Sequence, residues 1–372
     1  MKYLGRFVTL ILIIINTIFV VLMLMAAFSS HLHPSAYPTL SCMSLTFPIF
    51  LFINLLFLCL WLAIQLYKCA LLPLLALLMC WSQIAAFLPL HSESKPEELP
   101  KQHIKLLSYN VMRFNKYQKT NGKNAILKYL KESQADIICL QEYDAGKSSK
   151  YLTKKEIEEA LKQYPYRRIH TVGTSKKSLN QTACYSKYPI LSAKELNFPG
   201  LHNGSVAYQM KIGKDTLLLI NNHLESNRLK RQDKEVYEEI LSSPQTKKVK
   251  SGSRQLLQKL ANAAVVRARQ ADAIAKEIEQ SKQKYIVVCG DFNDTALSYS
   301  HHTIGKHLND AFTESGCGLG VSYNKNKFYF RIDHILHSVN MKAFNCKVDN
   351  SIKESDHYPI SCLLTFENTI NE

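Results

Sequence analysis

Eight residues at or near the ends of expected strands are of the types that hold hard cations or move protons: Asn110, Glu142, His223, Asp291, Asn293, Asp333, Asp356 and His357. The stretch 285–294, YIVVCGDFND, sets the pattern. A β-branched apolar run meets glycine and then acidic and amide residues, as a buried strand does where it opens into a loop. Asp291 and Asn293 lie two positions apart, so both can face one cleft from an extended strand end. One brings a carboxylate, the other an amide able to donate or accept. The same letters alone also make an ordinary turn. What favours a site is that the pattern recurs.

The elements that must position these groups read as follows. Residues 104–110 (IKLLSYN) form a strand ending on Asn110, and 137–140 (IICL) a strand followed by Gln141 and Glu142. A strand over 216–222 ends in Asn221, Asn222 and His223; one over 331–336 (RIDHIL) carries Asp333. The SDHYP segment at 355–359 leads into a last strand, 360–366. Further strands fall at 182–186, 191–196 and 206–212. Helices are expected at 123–132, 154–161 and 228–239. The longest runs over 255–280, with a stripe of Leu256, Leu260, Ala264, Ala268, Ala271, Ile274 and Ile278. Residues 242–252, with Lys247, Lys248 and Lys250, read as a loop. His301, His302 and His307 lack metal-ligand spacing and are assigned to a surface loop. Polar groups at the ends of many strands on one rigid scaffold are how α/β enzymes build sites.

The front of the chain is different. Of 372 residues, 47% are hydrophobic, concentrated towards the N-terminus. Residues 7–28 are almost wholly apolar, and a second apolar tract covers 45–90. As one helix that tract would reach ~69 Å, over twice the ~30 Å hydrocarbon core. It should therefore fold back near 65–68, which gives three spans: 7–28, 45–66 and 70–89. The domains follow: a membrane anchor over 1–90, a short polar tether over 91–102, and a catalytic domain over 103–372. A signal peptide is the rival for residues 1–28. Lys2, Arg6 and Lys68 place the N-terminus and the second turn in the cytoplasm, so the C-terminal part emerges on the outer face.

The formal net charge is +16. Residues 1–100 hold four Lys/Arg and three acids, so the remainder carries 42 basic and 27 acidic residues, or +15. That favours anionic partners: nucleic acid, acidic headgroups or phosphorylated small molecules. Ten cysteines occur without a CxxC spacing. Cys139 and Cys289 fall in core strands and read as small buried hydrophobes. Cys184, Cys317, Cys346 and Cys362 can pair only in an oxidising compartment.

In this order LLSYN, LQE, NNHLES, GDFN, RIDHI and SDHYP resemble the endonuclease/exonuclease/phosphatase superfamily, over about residues 103–368. The three spans further resemble a membrane-anchored bacterial branch. The resemblance implies a four-layer α/β/β/α sandwich, two face-to-face mixed sheets flanked by helices, and metal-dependent phosphoester hydrolysis. Mg²⁺ is the expected cofactor, with Mn²⁺ as the alternative. Glu142 is the leading metal ligand, beside Asn110 and Asp356. Asp291 orients or deprotonates the attacking water, and Asn293 holds phosphate or water. His357 contacts phosphate with Asp333 fixing its tautomer, and His223 donates to a phosphate oxygen.

The expected partners are a membrane and an anionic phosphorylated substrate, either a lipid or phosphoinositide-like headgroup or nucleic acid. Basic residues over 228–254 and the aromatic-basic stretch 323–331 (YNKNKFYFR) could face such a substrate. The competing reading is a non-catalytic membrane scaffold with an anion-binding domain. The segment 180–190 departs from the family, which more often has glycine near Gln181.

Overall fold

The computed structural model describes residues 2–173, 180–196, 198, 203–229, 231–242, 247–325 and 329–366. Four helices come first: α1 (Lys2–Phe28), α2 (Phe47–Ala63), α3 (Tyr67–Met79) and α4 (Trp81–Phe87). Two segments, Arg6–His31 and Leu40–Ala63, are long and apolar enough to cross a membrane. The stretch expected as a single third span is instead α3 and α4, bent by 63°. The bend falls at Cys80, the residue between them, and not at Pro73, which lies inside α3.

Polar side chains join these apolar helices. Asn16 Nδ2 donates to Asn54 Oδ1 at 3.2 Å, and Trp61 Nε1 donates to Asn16 Oδ1 at 2.9 Å. Asn54 Nδ2 also reaches the carbonyls of Phe19 and Phe50. All three side chains are buried, and they tie α1 to α2.

The remaining elements are β1 (Ile104–Asn110), α5 (Met112–Lys116), α6 (Ala125–Glu132), β2 (Ile137–Gln141), α7 (Lys154–Ala160), β3 (Tyr166–Val172), β4 (Asn180–Ser186), β5 (Ile190–Leu196), β6 (Ser205–Ile212) and β7 (Asp215–His223). Then follow α8 (Arg231–Ser242), α9 (Lys247–Gln280), β8 (Tyr285–Asp291), α10 (Tyr299–Ile304), β9 (Leu308–Asp310), α11 (Ala311–Ser315), β10 (Asp333–Ser338), β11 (Met341–Val348) and β12 (Ile360–Phe366). The strands make two six-stranded mixed sheets, ordered β11-β12-β1-β2-β4-β3 and β5-β6-β7-β8-β10-β9.

One core fills the space between the sheets, with Leu106, Cys139, Cys184, Leu219, Val287 and Cys289 among its members. A second lies under α6 and α7, and a third under α9. The two sheets and their flanking helices form the α/β sandwich that the motifs imply. The central strands β1, β2, β8 and β10 are buried almost throughout. That explains their continuous apolar runs.

Two local expectations change. The lysine-rich segment expected as a loop over 242–252 is helical from Lys247, the first residue of α9. Of the expected stripe on α9, Leu256, Ala264, Ala268, Ala271, Ile274 and Ile278 are buried and Leu260 is half-buried. His301 is not on a surface loop: it is buried in α10, where its ring meets Asp310 and the ring of His334. Lys230 and the side chains of Arg231, Lys234, Lys247, Lys248 and Lys250 lie outside the described residues, as do residues 326–328 of the aromatic-basic stretch.

The chain after α4 is pinned. Leu90 pairs with Cys317 in an isolated bridge, His91 N–H donates to the Gly316 carbonyl at 3.2 Å, and Gly318 N–H donates to the Pro89 carbonyl at 2.8 Å. Ser94 exchanges two hydrogen bonds with the Asn345 side chain.

Candidate active site

Strand register alone assembles half of the site. β7 runs parallel to β8 with His223 opposite Asp291, and β8 runs antiparallel to β10 with Asp291 opposite Asp333. Three polar residues therefore stand in one row across three adjacent strands. In the other sheet, parallel pairing of β1 with β2 sets Asn110 opposite Gln141, and Glu142 follows directly. The sheets face each other, so the two sets meet.

The meeting point is Asp291, itself 1% exposed. Asn110 Nδ2 donates to Asp291 Oδ2 at 3.1 Å and lies 3.5 Å from Glu142 Oε1. His223 Nε2 stands 3.7 Å from Asp291 Oδ2 and 4.0 Å from Glu142 Oε1. His357 Nε2 is 3.6 Å from the same Asp291 oxygen. These imidazole distances are too long for direct hydrogen bonds. The far nitrogen of His357, Nδ1, lies 2.8 Å from Asp333 Oδ2. Residues 110, 142, 223, 291, 333 and 357 are thus brought into one cleft.

Asn293 lies at the margin. Its backbone N–H donates to Asp291 Oδ1 at 2.8 Å, and its Nδ2 donates to the Leu224 carbonyl at 3.0 Å. Asp356 is half-buried. Its charge reaches the cleft, where it raises the pKa of Glu142.

The backbone is bent to fit. Glu142 and Asn293 both have left-handed φ, +51° each, as do Met112 to Tyr117 just after β1. Such values in non-glycine residues cost about 1–3 kcal/mol each and gather at functional sites. Gly290 has φ +129°, and a Cβ there would stand 2.1 Å from the Asn222 carbonyl oxygen. Only glycine lets β8 lie this close to β7.

Burial, and secondarily Asp356, raises the Glu142 carboxyl. Burial also raises Asp291, against the pull of His357, and lowers His223. For His357 burial works the other way from its neighbours, but Asp333 and Asp291 outweigh it and push the ring up to about 10.

Carboxylates crowd this cleft, and among the described residues no Lys or Arg ion pair reaches Glu142, Asp291 or Asp333. One donor atom from each of Asp291, Asp333 and His357 lies within 4.8 Å of the others. Glu142 beside Asn110, with the charge of Asp356 acting on it, is the oxygen-rich, anionic group that suits a hard divalent cation. Asn110 turns Oδ1 towards the Met112 N–H, 3.1 Å away, so a half-turn of its amide is needed to offer oxygen to a cation.

Several residues outside the expected site support it. Ser322 Oγ accepts from both Ile332 and Asp333 N–H at 3.0 Å. Ser355 Oγ donates to the Asn110 carbonyl at 2.7 Å, joining the SDHYP segment to β1. Gln141 Nε2 donates to Asn221 Oδ1 at 2.7 Å across the two sheets. Ser355 stands in SDHYP, Gln141 in LQE and Asn221 in NNHLES, whereas Ser322 had no sequence signal.

Residues 107–357 match the model of the Endonuclease/Exonuclease/phosphatase family. Residues 9–87 match a second model, a domain of unknown function. A search of curated proteins gave no match. Among solved structures, the human nocturnin catalytic domain with bound sulfate anion is similar at 13% identity and TM-score 0.51, covering 72% of this chain and 96% of that one. An endonuclease/exonuclease/phosphatase from Beutenbergia cavernae is similar at 13% identity and TM-score 0.50, covering 72% of each chain. A humanized TDP2 of D. rerio is similar at 14% identity and TM-score 0.48, covering 71% and 99%.

Proposed function

The chain belongs to the endonuclease/exonuclease/phosphatase family, and from that premise we propose that it is a divalent-metal-dependent phosphoesterase held in a membrane by its N-terminal helices. The observation that carries this reading is the convergence of Asn110, His223 and His357 on one oxygen of Asp291, with Glu142 alongside.

Glu142, Asn110 and Asp356 would hold the metal, Mg²⁺ or else Mn²⁺. When bound, such an ion neutralises phosphate charge and helps the leaving oxygen. Asp291 orients the attacking water and takes its proton; burial, by raising its pKa, suits it to that task. His357, kept protonated by Asp333 and Asp291, donates to a non-bridging phosphate oxygen. His223 donates to a second oxygen from the opposite side of Asp291. Asn293, fixed by Leu224, keeps the Asp291 loop in place. Strand ends on two packed sheets hold these groups rigidly, as positioning requires.

The anchor comprises α1, α2 and the bent α3–α4 pair as a third, broken span. The sparse basic residues of the N-terminal part favour a catalytic domain on the outer, periplasmic side. Two substrates are compatible with the site. The pinned connection to the helices favours a lipid headgroup, and the +15 charge favours nucleic acid.

The test is the purified full chain in detergent with Mg²⁺, given phospholipid vesicles and supercoiled plasmid in parallel. Release of headgroup without nicking identifies a lipid phosphoesterase, and nicking alone identifies a nuclease. Turnover of neither, nor of a chromogenic aryl phosphate ester, overturns the reading in favour of a non-catalytic scaffold.

A further inference from the structure

Behind the active-site sheet lies a second group of buried ligands. His334 follows Asp333 on β10, so its side chain points to the opposite face of the sheet. There it meets His301 of α10, ring to ring at 4.6 Å, and Asp310 at the end of β9. One donor atom from each of His301, Asp310 and His334 lies within 4.8 Å of the others.

The donors are prepared for a cation in three ways. His334 Nε2 lies 3.0 Å from the Asp294 carbonyl oxygen, which can only accept, so Nε2 carries the proton and Nδ1 the lone pair. His334 is fully buried, and Nδ1 has no hydrogen-bond partner. A ring nitrogen fixed by a carbonyl behind it, with a bare nitrogen in front, is the usual form of a metal-binding histidine. Asp310 divides its carboxylate: Oδ1 accepts from the N–H groups of Phe312 and Thr313, while Oδ2 faces His301 Nε2 at 3.1 Å.

Arg331 brings an opposing charge. Its Nη1 stands 3.9 Å from Asp310 Oδ2, short of a hydrogen bond, although the residue is buried. The guanidinium is held away, stacked 4.3 Å over the Phe312 ring and donating through Nη2 to the Ala86 carbonyl. Oδ2 is therefore left to His301 rather than bound by the guanidinium. An open cavity of about 680 Å³ reaches His301 and Asp310 and is lined on its other side by Phe28, His31, Ser82 and Gln83 of the N-terminal part.

We propose that His301, Asp310 and His334 bind a divalent transition metal of the zinc class, with water from this cavity as fourth ligand. Two imidazoles and one carboxylate suit zinc-like ions and not magnesium. On binding, the His301 proton moves from Nε2 to Nδ1 through solvent, so the ring stays neutral. The ion would fix the back of β10 directly behind Asp333, between the active site and the helices that reach the membrane. This inference is independent of the phosphoesterase reading, because its measurement is not turnover.

The full chain, stripped with a chelator and kept in detergent with saturating Mg²⁺ to occupy the phosphoester cleft, is titrated with Co²⁺ as an optical probe. The expected result is one equivalent bound with visible d–d absorption of a four-coordinate site, displaced by Zn²⁺. His334→Gln and His301→Gln, each shown folded by near-ultraviolet circular dichroism, should each weaken that binding at least about 100-fold. Absence of the band in the parent protein overturns the proposal, as does an unchanged band in either folded variant. Should both variants unfold, X-ray absorption of the Zn²⁺-loaded parent decides: two imidazoles support the site, and fewer overturn it.

Discussion

His357 Nδ1 and Asp333 Oδ2 lie 2.8 Å apart although 24 residues separate them in sequence. The contact fixes which face of the imidazole meets the cleft, leaving Nε2 directed at Asp291, 3.6 Å away. It also supplies the charge that keeps the ring protonated against its burial. Replacing Asp333 by Asn preserves shape and removes that charge. Asp333→Asn should therefore lower kcat by about 10²–10⁴-fold on an aryl phosphodiester, with KM little changed.

Asp291 is a buried carboxylate without a formal cation beside it except the two histidines. Such a group is kept for chemistry at the expense of stability. Asp291→Asn should reduce turnover by at least about 10³-fold, with the melting temperature equal to or above that of the parent. A variant that lost both activity and several degrees of Tm would make Asp291 structural.

Glu142 touches no substrate in the proposed arrangement and acts only on the metal. Glu142→Gln should raise the Mg²⁺ concentration for half-maximal rate by about 10–100-fold, while saturating Mg²⁺ restores part of kcat. A loss that added metal leaves untouched would assign Glu142 elsewhere.

At Gly290 any side chain meets the Asn222 backbone at 2.1 Å. Gly290→Ala should destabilise the domain by about 3 kcal/mol or more, read as a lower denaturant midpoint. Gly213 sits in a turn with nothing within 4 Å, so Gly213→Ala, which carries only the positive-φ strain, is the milder control.

In the N-terminal helices, Asn16 both donates to Asn54 and accepts from Trp61. Asn16→Leu should weaken association of α1 with α2 by about 1 kcal/mol per lost contact. Faster cleavage of the connecting loop by protease in detergent would report it.

The strands that carry the candidate site were legible because they are central and buried on both faces, so their apolar runs are unbroken up to the polar end. β8 and β1 are the clearest cases. β3 was not read, because Arg167 and Arg168 sit exposed on an edge strand and break the alternation. β11 was obscured by the bulge between Phe344 and Lys347. The start of α9 was hidden by lysines that resemble a loop. His301 looked like a surface residue because its partners, Asp310 and His334, come from separate strands that no local spacing connects. Family motifs identified which residues meet; they could not say that Asn293 spends its amide on Leu224, or that Asn110 presents nitrogen to the carboxylates.

The hydrogen bonds from Pro89 to Ser94 have a consequence for how the protein searches for its target. A slack leash would let the hydrolytic unit sweep a hemisphere of solution. If the helices lie in a bilayer as proposed, a clamped one would carry the cleft along with them, so the cleft would explore new territory chiefly by lateral diffusion, at one fixed height and tilt. Molecules in the bulk are then met only when they arrive at that height, whereas those confined to the same surface are encountered continually.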